Sequence, residues 1–366
     1  MLRNPFSETP VLPPNETDPA KNEELVEDFL GPEAAEKFAR LDNRTYRPKT
    51  DDFPDYKEAE DFKNETRIER LLNIDQQYAE QKGLLLSLGL LERLSTGEQG
   101  IRDEQGNEYP FPTLEQVKQE VSKNKEIFAK KAEQGFKELR ITPFALPIQR
   151  LFAAIEEELK RQYKNGILKS TNKDKLDLDT SQPLYQWDGY RTKTPVYFPT
   201  DLERANHGGK TKRQLLDSDT SSFPGFLVSF EEKEQDIPRE GQGTEINGRR
   251  RLEAGLSPKE YFDLLKKPEY QHESGLTIED WIIRFLSTLH KDGTVIDDWD
   301  AKDADENDIA SACLNLATLF PEEGEHGVVS RAFWDRVGAR AFADWLDVTD
   351  RNSIDGSRSL VRVGSL

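Results

Sequence analysis

The stretch Gly327–Leu366, GVVSRAFWDRVGARAFADWLDVTDRNSIDGSRSLVRVGSL, decides how the rest of the chain is read. Its odd positions include Val329, Phe333, Val337, Ala339, Ala341 and Trp345. Its even positions include Trp334, Phe342 and Leu346, together with Arg336, Arg340 and Asp344. A half-buried strand alternates apolar and polar residues. Here the framework is strand-like, yet alternate positions are not selected for burial. Asp335 stands between Trp334 and Arg336 and shares its face with Val337, Ala339 and Ala341. DVTDRNSIDGS then reads as a long turn, and SRSLVRV as a closing strand. In that strand Val361 and Val363 share one face, while Arg358, Leu360 and Arg362 share the other. A strand so placed is expected to dock into an existing sheet.

Working outward, 366 residues suggest two or three domains. Lys and Arg number 51 against 70 Asp and Glu, a formal charge of −19. That balance opposes a nucleic-acid backbone, which needs clustered cations, and an anionic membrane surface. Cys313 is the single cysteine, so no intrachain disulfide forms. MLRNPFSETPVLPP has no apolar core of a secretory signal. The longest apolar run, LLLSLGLL at residues 84–91, is too short to span a bilayer. A soluble chain without membrane insertion is expected, cytoplasmic by default, with its oligomeric state open.

Residues 1–65 are rich in Pro, Asp, Glu, Lys and Asn, with Phe29, Phe38, Phe53 and Phe62 scattered among them. They read as an extended or disordered tail in which GPEAAEKFARL is a short helix. A small helical region is expected over 66–137. The capping pattern Thr66 to Glu69 opens one helix running to about Leu94. IRDEQGNEYPF reads as a hairpin turning at Gly106-Asn107. Thr113 and Gln116 open a second helix to about residue 136, with Leu114, Val117, Val121 and Phe128 at helical spacing, paired antiparallel to the first. At Leu139 the texture changes. LRITPFAL is a strand, and Pro147 starts a helix that buries Ile148, Leu151, Phe152, Ile155 and Leu159. PLYQWDGY, PVYFPTDL and FPGFLVSFEE have strand character. Ser257-Pro-Lys-Glu260 and Thr277-Ile-Glu-Asp280 open two more helices. DIASACLNLATLF reads as a further apolar, helical segment.

Chemistry-bearing clusters are few. His207, His272, His290 and His326 stand far apart, without HExxH or HxH spacing, so no metal site is expected. His207-Gly-Gly-Lys-Thr-Lys lacks the GxxxxGK[ST] frame and reads as a turn. Arg249-Arg250-Arg251 reads as a solvated face. Asp297, Asp298, Asp300, Asp303, Asp305 and Asp308 form an acidic run without the glycine a calcium loop of the EF-hand kind places sixth. That run reads as a charged, solvated loop. No catalytic residue and no cofactor are expected.

The pattern RAFWDR at 331–336, an irregular middle, and DGSRSLVRV at 355–363 resemble the variable proteins of diversity-generating retroelements. ITPFALPIQRLF, PLYQWDGY, VYFPTDL, HGGKTK, GLTIEDWI and VIDDW resemble framework segments of that family. The resemblance covers roughly Ile141 to Leu366. It implies an α+β chain whose domain at 138–366 has a C-type lectin fold, of the variety shared with formylglycine-generating enzymes. The first strand, Leu139–Phe144, would pair with Leu360–Val363. A variable region at about 329–360 would display Phe333, Asp335, Val337, Gly338, Ala339, Phe342, Asp344, Leu346, Val348, Asn352, Ile354, Asp355 and Ser357 on one exposed face. Alternation of neighbours would change from odd to even through a bend or bulge between Ala339 and Phe342. Trp334, Arg336, Arg358, Val361 and Val363 would be scaffold. The implied partner is an unknown protein or cell-surface ligand. The oxidase branch of the fold uses two active-site cysteines, and this chain has only Cys313, so no enzyme activity is expected. The competing reading is a structural or assembly protein with a lectin-like domain.

Overall fold

Side-chain caps set several of the helix starts. Thr113 with Gln116, Ser257 with Glu260 and Thr277 with Asp280 each form a reciprocal capping box, as their spacing predicts. The structure, a computed structural model, describes residues 68, 71–218, 221–302, 305 and 307–364. The tail with its phenylalanines, its short helix, and Thr66 and Glu69 fall outside the described residues. The chain divides into units Met1–Glu60 and Asp61–Leu366, and the elements named here all belong to the second.

Helix α1 (Ile74–Ser87) stops well short of Leu94. Gly89 adopts a left-handed φ of 65°, which returns the amides of Leu90 and Leu91 to the carbonyl of Leu85. Strands β1 (Glu92–Arg93), β2 (Gln99–Arg102) and β3 (Glu108–Pro110) make an antiparallel meander whose second turn holds Gly106, as expected. The helix expected over 113–136 is two helices. α2 (Leu114–Lys123) and α3 (Lys125–Glu133) are separated because Asn124 leaves helical geometry, with φ −123° and ψ 34°. Gly135 then turns the chain at φ 106°, and β4 (Phe136–Thr142) begins. α1 packs on β4. Gln77 accepts from the Leu139 amide and donates to the Lys137 carbonyl, both at 2.7 Å. The exposed edge of β4 is thereby capped by a side chain.

α4 (Ile148–Lys164) buries Leu151, Phe152, Ile155 and Leu159 as its period predicts. The chain continues through β5 (Leu184–Gln186), the single turn α5 (Gly189–Thr192), β6 (Val196–Tyr197), β7 (Lys210–Thr211), α6 (Lys212–Asp217) and β8 (Leu227–Glu232). A ribbon of β9 (Glu245–Ile246) and β10 (Arg249–Arg250), helix α7 (Pro258–Leu265), β11 (Ser274–Gly275) and helix α8 (Ile278–Asp292) follow. The last strands are β12 (Ala312–Phe320), β13 (Val328–Asp335), β14 (Arg340–Asp347), β15 (Asp355–Ser357) and β16 (Ser359–Arg362).

Besides the meander and the ribbon, two larger sheets form, and the architecture is α+β. One is antiparallel in the order β11-β16-β8-β4. The expected direct pairing of Leu139–Phe144 with Leu360–Val363 does not form. Leu139 faces Phe230 and Phe230 faces Val361, so β8 lies between. β8 is buried along nearly its whole length, the pattern of a central strand. The other sheet runs β5-β14-β13-β12-β6-β7, with β15 beside β12, and curls into a half-barrel. DIASACLNLATLF is therefore not helical. All nine residues of β12 are buried, and a strand buried on both faces loses its alternation. α8 packs on α4, β4, β12 and β13, with Trp281 stacked on Phe285 at 5.0 Å in the core. Arg249 corrects another expectation. It is 2% exposed and paired with Glu232 and Glu273, while Arg250 alone of that triplet faces solvent. No described helix is long and apolar enough to cross a membrane.

Candidate recognition surface

β13 and β14 form a hairpin whose pairs join odd numbers to even ones. Arg331 faces Asp344, Phe333 faces Phe342 and Asp335 faces Arg340. Directly opposed residues point to the same side of a sheet. Ala332, Trp334, Ala341 and Ala343 therefore share the inner side, and all four are buried, Trp334 and Ala343 at 0% exposure. Phe333, Asp335, Phe342, Asp344 and Leu346 share the outer side with Arg331 and Arg340. The expected change of parity does occur, but by the four-residue turn Arg336–Ala339 and not by a bulge in one strand. Ala339 completes that turn at φ 49°. The Gly338 amide donates to Asp335 at 3.0 Å, and a Cβ on Gly338 would stand 2.3 Å from the same carboxylate.

On the outer side four rings stand in a row. Trp299 meets Phe333 edge-on at 6.1 Å, Phe333 stacks on Phe342 at 5.0 Å, and Phe342 stacks on Tyr185 at 4.3 Å. The Arg331 guanidinium lies 5.4 Å from the Phe333 ring, and that of Arg340 lies 5.5 Å from Tyr185. Arg331 grips Asp344 with two bonds of 2.8 and 2.6 Å and reaches both oxygens of Asp355 at 3.2 Å. Burial raises the pKa of both carboxyls, against the pull of Arg331. Burial opposes the Arg331 charge, but the two aspartates outweigh it and hold the guanidinium ionised.

The thirteen expected display positions divide. Val337 tips the hairpin at 84% exposure. Asp335, Gly338, Ala339, Phe342, Asp344, Leu346, Asn352 and Ile354 are half-buried. Four positions correct the expectation. Phe333 is only 8% exposed because Trp299 and Phe342 cover its ring. Val348, at 3%, joins the apolar cluster of Tyr261, Leu314 and Val329 under α7. Asp355 is fully buried in its ion pair. Ser357, at 1%, donates to the Leu314 carbonyl at 3.2 Å. The outer side is thus open at the hairpin end and closed by α7 at the other.

Beneath the hairpin the expected scaffold residues are held by carboxylates. Arg336 donates from Nε to both oxygens of Asp298 at 2.9 Å. Arg358 pairs with Asp297, which also accepts from Trp281 Nε1 at 2.9 Å. Val361 and Val363 are buried at 1% and 4%. Asp297 and Asp298 are themselves at 0% exposure, so the start of the acidic run is internal and not solvated. The Asp297 amide donates to Asp236 at 2.9 Å. Burial, with the neighbouring Asp297 and Asp298 charges, pushes the Asp236 carboxyl up to about 6, against the pull of Arg358. Among the described residues no group of three or more His, Cys, Asp or Glu could hold a metal ion.

One triad-like set lies elsewhere. Ser87 Oγ is 3.1 Å from His290 Nε2, and Glu158 is 3.3 Å from His290 Nδ1. Arg161, however, stands 2.5 Å from that same Nδ1, and an arginine only donates. Arg161 also donates to Glu158 at 2.5 Å, so the carboxylate that would orient the ring is engaged by the arginine. Sequence reasoning missed Tyr185, Trp299, Arg331 and Arg340 as members of the surface. Trp299 is hidden inside the acidic run, and Tyr185 and Arg331 lie in segments taken for framework. Comparison with protein families, curated proteins and solved structures found no match to this chain.

Proposed function

We propose that this chain is a binding protein whose C-terminal hairpin displays a mutable surface, as in the variable proteins of diversity-generating retroelements, on a domain of C-type lectin type. The observation that supports it is the division of labour on β13 and β14. Next to the turn small residues and Trp334 fill the inner side, with Trp345 exposed against Trp187 at its far end, whereas the outer side carries Phe333, Asp335, Phe342 and Asp344 and tapers to an exposed Val337. Substitution on the outer side near the turn leaves the inner packing untouched. A platform held by the Arg336–Asp298 and Arg358–Asp297 pairs would lose little entropy on binding. Specificity would then come from side chains alone, with the aromatic row as anchor and the aspartates as charge selectors. The reading assigns no catalysis, and the ligand is a protein or cell-surface molecule.

Sequencing the chromosomal neighbourhood tests the assignment. A reverse-transcriptase gene and a near-copy of the codons for about 329–360, differing at adenines, are the expected result. A locus with neither rejects it.

A further inference from the structure

Away from the hairpin, a cavity of about 230 Å³ opens beside α6, walled by Phe144, Tyr197, Phe198, Leu215 and Phe226. The Phe144 and Tyr197 rings meet edge to face at 4.9 Å. Phe198 holds its ring in place at φ 52°, a left-handed conformation that a bulky residue adopts only under constraint. The HGGKTK segment, expected as a turn, instead forms β7 and opens α6, and of its two lysines only Lys210 lines the cavity. Lys212 is committed inward, 2.7 Å from the buried Glu279 and 3.2 Å from the Leu146 carbonyl. Lys210 lines the cavity and is exposed, and among the described residues its side chain has no carboxylate or hydrogen-bond partner. In a chain with 70 acidic residues against 51 basic ones, a cation without a counter-ion at an aromatic cavity is unusual.

We propose that this cavity binds a small aryl carboxylate, its ring system among Phe144, Tyr197 and Phe198 and its anionic head on Lys210. Size selects the body. A cavity of roughly 150 Å³ accepts benzene, so 230 Å³ accommodates two fused rings. Aromatic walls favour a flat, polarisable body through edge and offset contacts. A mouth with one free ammonium favours one negative charge, through a charge-assisted bond. The site is distinct from the hairpin surface and stands or falls independently of the function proposed for it.

The test is titration calorimetry of the full chain with 1-naphthaleneacetate and, separately, with its neutral amide. One-to-one binding of the acid is expected, about tenfold tighter than the amide. Lys210→Gln should weaken the acid about tenfold and leave the amide unchanged. Leu215→Glu, at a half-exposed wall position, should abolish binding of both, with an unchanged thermal midpoint showing that the fold is intact. No heat from the acid at millimolar concentration overturns the proposal. Equal binding of acid and amide, or insensitivity to Leu215→Glu in a folded variant, overturns it as well.

Discussion

Phe333 and Phe342 stack across the β13–β14 hairpin with their centroids 5.0 Å apart and their planes 25° apart. That contact exists because the four-residue turn pairs position 333 with 342, and it fixes which neighbours point inward. The same register sends Trp334 and Ala341 into the core. One residue of slip would exchange the two sets and bury Asp335 and Asp344 among apolar groups, so register is strongly specified.

The stabilities of three neighbouring substitutions should therefore differ in order. Trp334→Ala removes a fully buried side chain and is expected to cost roughly 3–5 kcal/mol. Phe333→Ser loses a ring held between Trp299 and Phe342 and should cost about 2–3 kcal/mol. Val337→Ser, at 84% exposure, should stay within about 0.5 kcal/mol. Urea denaturation of the three variants checks this, and equal losses would mean the hairpin has no open side.

The local signals in the chain were mostly legible, and the long-range ones were not. Capping boxes at Thr113, Ser257 and Thr277 depend on residues three apart, and all three form. The stripe of α4 is likewise local. β12 was misread because a short run of buried apolar residues has no period to separate strand from helix. Arg249 and Asp297 were misread as solvated because their partners are distant in sequence. Arg249 pairs with Glu232 and Glu273, and Asp297 with Arg358, 61 residues away. A charge looks exposed until its counter-ion is placed. The order of β4, β8 and β16 failed for the same reason, since no local feature says which strand takes the centre.

Arg331 serves two carboxylates, and the more deeply buried one depends on it. Arg331→Ala would leave Asp355 at 0% exposure without its cation, and removing one partner of a buried pair costs roughly 3–5 kcal/mol. Adding Asp355→Asn to that variant should recover a substantial part of the loss, because a neutral amide tolerates burial better. Thermal denaturation of the single and double variants measures the difference. Additive losses would show that the two groups do not interact.

Cys313 lies on β12, fully buried, and burial pushes its thiol well above the usual range. Only a thiolate reacts readily. The native protein should therefore show no fast reaction with a disulfide reagent such as Ellman's at pH 8, and one equivalent should react in denaturant. Rapid modification of the native protein would place the sulfur at the surface and contradict the strand assignment.

Asp236 makes the fold sensitive to pH in a direction opposite to most carboxylates. Its folded pKa of about 6 lies above the ordinary 3.8, because burial and the Asp297 and Asp298 charges disfavour ionisation. Between these two values the folded chain holds a proton that the unfolded chain has lost. On this group's account, stability falls as pH rises from about 4 to 6 and is constant above. The gap corresponds to at most about 3 kcal/mol, and to less where water reaches the carboxyl. Other groups, such as Asp280, whose pKa is lowered by Arg362 against its burial, act in the reverse sense. A difference measurement isolates the contribution of Asp236. Asp236→Asn keeps an oxygen to accept from the Asp297 amide while fixing the neutral state. The variant should exceed the parent in stability at pH 8, by about 1–3 kcal/mol. That advantage should shrink between pH 6 and 4 and vanish below. Denaturant titrations of both proteins at pH 4, 6 and 8 follow it. An advantage that stays constant with pH would mean that Asp236 ionises normally, and that the carboxylates beneath the hairpin are balanced by Arg358 and Arg336 alone.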